Sequence, residues 1–157
     1  MRGRSLDPAT GETKTLLKDA RIGDLAFDRA SRSLWGIRHF NGIATLVEVP
    51  YPYSEWKQVV SWPYGDVPYD LDVSPDGKLL SASIGGIDGL HAVHVMKLED
   101  LRAARFEPVA KFDFGTFTPS NFTFSADGRF LYGSSYYTGV SNIFRYELAT
   151  GKKEALS

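Results

Sequence analysis

The chain has 157 residues, enough to bury one sizeable core. Its 18 basic and 19 acidic residues leave a net charge of −1, which gives no electrostatic footprint for nucleic acid. The absence of cysteine excludes a disulfide scaffold and thiolate chemistry, and no run approaches the ~20 apolar residues of a membrane-spanning helix.

Aromatic residues make up 13% of the chain, which favours sheet over disorder or a helical bundle. The basic start, Met1-Arg2-Gly3-Arg4-Ser5, is followed by no apolar stretch and does not read as a signal peptide. It runs at once into the turn Asp7-Pro8-Ala9-Thr10-Gly11, an abrupt opening expected of a piece of a longer protein. Residues 4–17 predict an outer hairpin around that turn, and its Ala-Thr-Gly returns at Ala149-Thr150-Gly151. The chain therefore begins with the end of one unit and finishes at the end of another.

The units themselves are marked by Val73-Ser74-Pro75-Asp76-Gly77-Lys78-Leu79-Leu80, an apolar strand end, a tight turn and a second apolar strand. Pro75 pre-sets a turn dihedral, Asp76 caps the turn, and Gly77 supplies φ > 0. Without a gap the same pattern returns as Phe124-Ser125-Ala126-Asp127-Gly128-Arg129-Phe130-Leu131 and, eroded, as Phe27-Asp28-Arg29-Ala30-Ser31-Arg32-Ser33-Leu34. The copies lie 46 (27 to 73) and 51 (73 to 124) positions apart, within the range of repeat architectures.

Four strands are predicted in each unit. The first unit has them at 24–28, 33–38, 44–49 and 56–62, with Asn41-Gly42 as a hairpin signal. The second has 69–74, 78–83, 92–98 and 106–112, with residues 99–105 as a short helical insertion that serves as decoration. The third has 121–125, 129–134, 142–148 and 152–156. Short antiparallel strands with no helix between them predict an all-β chain. Four-stranded units of about 45 residues are propeller blades, neither face of which is buried without a neighbour. The expected division is an outer strand of a preceding blade at 1–19, then blades at 20–62, 66–113 and 118–157. Leu25/Phe27, Leu71/Val73 and Phe122/Phe124 are expected to face adjacent blades.

Val73–Leu80, Phe124–Tyr132 and the continuation Asn142–Lys153 resemble the blade motif of the TolB-like (WD40-like, PD40) β-propeller repeats over nearly the whole chain. The resemblance implies a ring of six or more blades, completed either by the rest of a longer chain or by a second copy forming a six-blade homodimer. It further implies a bacterial periplasmic or secreted protein whose propeller binds protein or peptide. An alternative it implies is the regulatory propeller of a hydrolase or peptidase whose catalytic domain lies elsewhere.

The residues offer little chemistry. His91 and His94 are three apart on a strand and point to opposite faces, and His39 sits beside a turn. There is no His-Glu-x-x-His and no Gly-x-Ser-x-Gly. No catalytic residue, metal site or cofactor is expected, and the chain is read as a non-enzyme. Two polar and aromatic sets stand out as channel or partner-binding candidates. Asp24, Asp70 and Asn121 recur three residues before Phe27, Val73 and Phe124, at the start of each first strand. Joined by Asp72, they are expected to turn toward the propeller axis, either capping backbone donors or forming an acidic funnel. Tyr53, Trp56 and Tyr64 in a proline-punctuated stretch, with Tyr136 and Tyr137, form a candidate binding rim.

Overall fold

Period-two alternation broken by Gly- and Asp-bearing turns folds the chain into successive antiparallel ladders. A computed structural model describes residues 2–157. It begins with a two-stranded sheet, β1 (Gly3–Leu6) and β2 (Thr13–Leu17). Three four-stranded sheets follow. The first is β3 (Ile22–Phe27), β4 (Leu34–Phe40), β5 (Ile43–Val49) and β6 (Lys57–Ser61). The second is β7 (Val67–Val73), β8 (Leu79–Gly85), β9 (His91–Lys97) and β10 (Ala110–Gly115), with α1 (Leu98–Arg102) between its last two strands. The third is β11 (Ser120–Phe124), β12 (Phe130–Ser135), β13 (Asn142–Glu147) and β14 (Lys153–Ala155). In each sheet the strands lie in chain order, and the inner strands β3, β7 and β11 lie side by side. The all-β, three-blade arrangement read from the repeat is what the chain adopts, and the expected N-terminal outer strand is present together with its neighbour.

The recurring turn is built as its residues dictate. Ser74 Oγ donates to Asp76 Oδ1 at 2.6 Å and accepts the Leu79 N–H at 2.9 Å. Ser125, Asp127 and Phe130 repeat this at 2.6 and 3.0 Å, and Gly77 and Gly128 take φ of 72° and 71°. The hydroxyl bonds, followed by backbone N–H bonds, hold both aspartates below the usual carboxylate range. In the eroded first copy the roles are exchanged. Asp28 stands at the serine position and accepts the Ala30 N–H at 2.9 Å and the Ser31 hydroxyl at 2.6 Å, while positive φ passes to Arg32.

Two cores lie between the sheets. Trp35, Ile37 and Leu46 of the first blade meet Leu71, Leu80 and Met96 of the second. Val93, Val95, Phe112 and Phe114 of the second meet Phe122, Leu131 and Phe144 of the third, and Tyr146 stacks on Phe112 at 3.9 Å. Gly133 is required here, because a Cβ would lie 2.4 Å from the Phe122 ring. Leu71 and Phe122 are 8% and 2% exposed, whereas their counterpart Leu25 is 58% exposed because no complete blade precedes it among the described residues.

The 99–105 insertion is more than decoration. Leu98 and Leu101 of α1 are buried in the core between the first two blades, and Arg102 reaches Glu48 at 2.9 Å and lies over the Trp35 ring at 4.9 Å. Phe106 then packs on Trp62 at 5.5 Å. A helix of five residues has no stability of its own, so burial of its two leucines holds it. Leu101→Ala should cost about 3 kcal/mol, the range for truncating a fully buried leucine, measured as a drop in unfolding free energy by urea titration.

Candidate functional site

The inner strands share a local departure from regular strand geometry. Asp24, Asp70 and Asn121 have φ of 48°, 49° and 56°. At each the pairing with the second strand slips, between Gly23 and Ala26, Tyr69 and Asp72, and Ser120 and Thr123. Aspartate and asparagine are among the few residues with a Cβ that tolerate the left-handed region. The three therefore lie within their strands, at bulges, rather than at the strand starts expected from the spacing.

The bulge frees a backbone N–H, and the previous blade meets it. Asp24 Oδ1 accepts the Asp70 N–H at 3.3 Å, and Asp70 Oδ2 accepts the Asn121 N–H at 3.1 Å. A second rung runs from the next blade to Asp72, whose Oδ2 accepts the Thr123 hydroxyl and the Phe124 N–H, both at 2.7 Å. In the first blade Ala26 stands where Asp72 would be, so this rung joins only the second and third blades. The candidates Asp24, Asp70 and Asn121 do come together, around a cleft of about 180 Å³ that Leu25, Leu71 and Phe122 also line. Asp24 and Asp70 spend a carboxylate oxygen each on the neighbouring backbone.

The aromatic candidates do not form one patch. Tyr53 is half-buried, its hydroxyl donating to the Arg32 carbonyl at 2.8 Å, with Arg32 in turn over Tyr51 at 4.2 Å. Trp56 is half-buried, with the Arg38 guanidinium 5.1 Å from its ring. Both belong to the β5–β6 connection, at the end that carries the Asp-Gly turns. Tyr64, Tyr136 and Tyr137 lie at the opposite end, where β4 turns into β5, β8 into β9 and β12 into β13. Tyr137 is partly anchored there, edge-on to Phe114 at 5.7 Å and under Lys153 Nζ at 4.1 Å.

That opposite end carries exposed apolar side chains which the sequence reading did not assemble. Phe40 and Tyr64 come from the first blade, Ile87 and Leu90 from the second, and Phe117, Tyr136 and Val140 from the connections around the third, all exposed. The loops of the first two blades touch: a Cβ at Gly42 would lie 3.3 Å from the Tyr64 ring, and one at Gly65 3.2 Å from Ile87. Other exposed apolar side chains, Leu25, Phe27, Tyr51 and Val109 among them, lie elsewhere, but these seven share one end of the arc. Beneath them Tyr69 and His91 Nδ1 share a hydrogen bond of 2.8 Å, and burial followed by the Asp70 charge raises the Tyr69 phenol to about 12. A larger cleft, about 830 Å³, lies instead at the turn end between the first two blades. Half of its charged groups are committed to the fold, Asp28 and Asp76 to their turns and Arg102 to Glu48, while Lys78, Lys97 and Glu99 also line it.

Among the described residues no group of three His, Asp or Glu is placed to hold a metal. No protein-family model matches the chain, and no curated protein matches it. Solved structures do. TolB from Acinetobacter baumannii is 15% identical with a TM-score of 0.74, over 99% of this chain and 37% of that one. A chain of a nidogen/laminin complex is 16% identical with a TM-score of 0.71, over 98% of this chain and 56% of that one. Pyrococcus horikoshii acylaminoacyl peptidase is 12% identical with a TM-score of 0.60, over 97% of this chain and 27% of that one. This chain thus spans between about a quarter and just over half of the chains it matches. At these identities the likeness is one of fold, and it defines a β-propeller-like segment. That fold is shared by several propeller types, binding proteins and enzymes alike, rather than being specific to TolB-like repeats.

Two substitutions separate packing from chemistry here. Asp70→Asn keeps an acceptor and a residue tolerant of φ > 0, so it should leave stability nearly unchanged. Asp70→Ala should cost about 2 kcal/mol, roughly one for the lost bond and one for a left-handed alanine, measured by chemical denaturation. His94 gives a pH readout. Burial, followed by nearby Lys111, lowers its pKa, so as pH falls below about 6.5 the unfolded chain takes up a proton that the folded one refuses. Stability should therefore fall between pH 7.5 and 5.5, and His94→Gln should flatten that fall when denaturation midpoints are compared.

Proposed function

We propose that this segment is a non-catalytic binding or scaffold domain of a larger bacterial protein, secreted or periplasmic, whose loop end receives another protein or an extended peptide. The observation that carries the reading is the gathering of Phe40, Tyr64, Ile87, Leu90 and Tyr136 at one end, with Ile87 82% exposed. Large apolar side chains held on short loops of a rigid sheet lose little entropy when a partner covers them. Aromatic anchors of this kind carry much of the energy in protein interfaces. The axial acids serve the fold first, which argues against an acidic funnel as the main recognition device. One similar structure is itself a complex of two proteins, nidogen and laminin, and this favours a binding role.

A second reading has the segment as the regulatory propeller of a hydrolase. It is favoured by the match to an acylaminoacyl peptidase over 27% of that chain, a share that leaves room for a catalytic domain outside this segment. The first reading is tested on the purified chain. A peptide array should yield ligands whose affinity drops at least about tenfold in the variant Tyr64→Ser/Ile87→Ser/Tyr136→Ser, with the denaturation midpoint unchanged. Affinity insensitive to the triple variant, or cleavage of the bound peptides by the purified chain, would overturn the proposal.

A further inference from the structure

The second axial rung, which ties the third blade to Asp72, has no counterpart between the first and second blades. In each blade one backbone bond closes the ladder at the turn: Asp28 N–H to the Ser33 carbonyl, Ser74 N–H to Leu79 and Ser125 N–H to Phe130, at 2.9, 2.9 and 2.8 Å. Antiparallel strands alternate residues that bond to the partner strand with residues that do not. The residue before each closing bond, Phe27, Val73 or Phe124, therefore turns its N–H away from its own sheet. For Phe124 that N–H reaches Asp72 Oδ2 at 2.7 Å. Val73 is only 6% exposed, and the residue equivalent to Asp72 is Ala26, which has no side-chain acceptor to offer. No group among the described residues accepts the Val73 N–H.

The first blade departs from the repeat a second time at the same place. Arg29 stands where the later copies have Pro75 and Ala126. It is exposed and forms no ion pair among the described residues. The blade thus loses a carboxylate at position 26 and gains a guanidinium at position 29, which reverses the charge it offers its neighbour. Phe27, Arg29, Val73, Pro75 and Phe124 share with Asp72 a cleft of about 350 Å³ at the turn end of the axis. That volume suits a ligand the size of an amino acid. Asp72 is engaged with the third blade, its Oδ2 accepting the Thr123 hydroxyl and the Phe124 N–H, and it makes no ion pair with Arg29.

We propose that this cleft binds a carboxylate borne on a small apolar body, either a free acid or the C-terminal residue of a peptide. One oxygen accepts the Val73 N–H, in the place that Asp72 fills one blade further on. The other pairs with Arg29, whose planar fork matches a carboxylate. Phe27, which is 48% exposed, Pro75 and Phe124 flank the apolar body. The ligand thereby supplies between the first two blades the axial bond that the chain itself supplies between the second and third. The cleft lies at the opposite end from the surface that carries Tyr64 and Ile87, so the two sites are independent.

The test titrates N-acetylphenylalanine, its amide and phenylpropionate into the isotope-labelled chain and follows the Val73 amide resonance. An acid should move that resonance downfield and saturably, and the amide should not. Binding of N-acetylphenylalanine alone assigns the site to peptide C-termini, and binding of phenylpropionate assigns it to free acids. Arg29→Gln, at an exposed position, should weaken binding at least about tenfold with the denaturation midpoint unchanged. Ala26→Asp should place the carboxylate in the chain itself, abolish acid binding and shift Val73 the same way without ligand. The variant Tyr64→Ser/Ile87→Ser/Tyr136→Ser should bind the acids as before, which separates this site from the loop-end surface. The inference is overturned if neither acid moves Val73, if the amide moves it as the acids do, or if Arg29→Gln leaves affinity unchanged.

Discussion

Each inner strand breaks its own ladder at one left-handed residue, and the N–H freed at Asp70 and at Asn121 is met by a carboxylate of the neighbouring blade. Such a bond is worth about 1 kcal/mol net, and it ties one blade to the next at the point where the strand's own ladder is interrupted. Asp24 and Asp70 can do both parts because the residue type that tolerates φ near 50° also carries the acceptor the next blade needs. From this follow the alignment of β3, β7 and β11, the placing of Leu71 and Phe122 against the preceding sheets, and the two separate cores between blades.

Several polar groups are drawn into the fold. The axial carboxylates, the turn aspartates and Arg102 all have structural partners, while the loop end carries exposed apolar surface. A rigid arc of sheets that carries its exposed aromatics on short connections is suited to holding a partner. The insertion after β9 shows the same economy from the other side. It fills the groove between two blades with Leu98 and Leu101 and carries Arg102 to Glu48, stiffening the blades that bear Tyr64 and Ile87.

Much of the fold was legible because it rests on local rules applied three times. Ser74-Pro75-Asp76-Gly77 and Ser125-Ala126-Asp127-Gly128 name their turn, and Asn41-Gly42 names its hairpin, with φ of 49° and 76°. The recurrence of Asp24, Asp70 and Asn121 was visible too, though not that it marked a bulge, since nothing in residue type separates a strand start from a left-handed break within a strand. The role of 99–105 escaped for a different reason: five helical residues carry no periodic signal, and Leu101 is buried only because another blade lies beneath it. The aromatic stretch 51–64 read as one patch because its members are close in sequence. β6 then carries Tyr64 to the far end of the blade from Tyr53 and Trp56.

The blade is written into the order of residues: strand lengths, turn chemistry and repeat are short-range matters, settled within a few residues. What the blades do to one another is settled by the packing of sheet against sheet. Which carboxylate meets which N–H, which leucine is covered and which loops share an end depend on residues some fifty positions apart. Those pairings exist only once the sheets stand side by side, because no blade can bury its own faces.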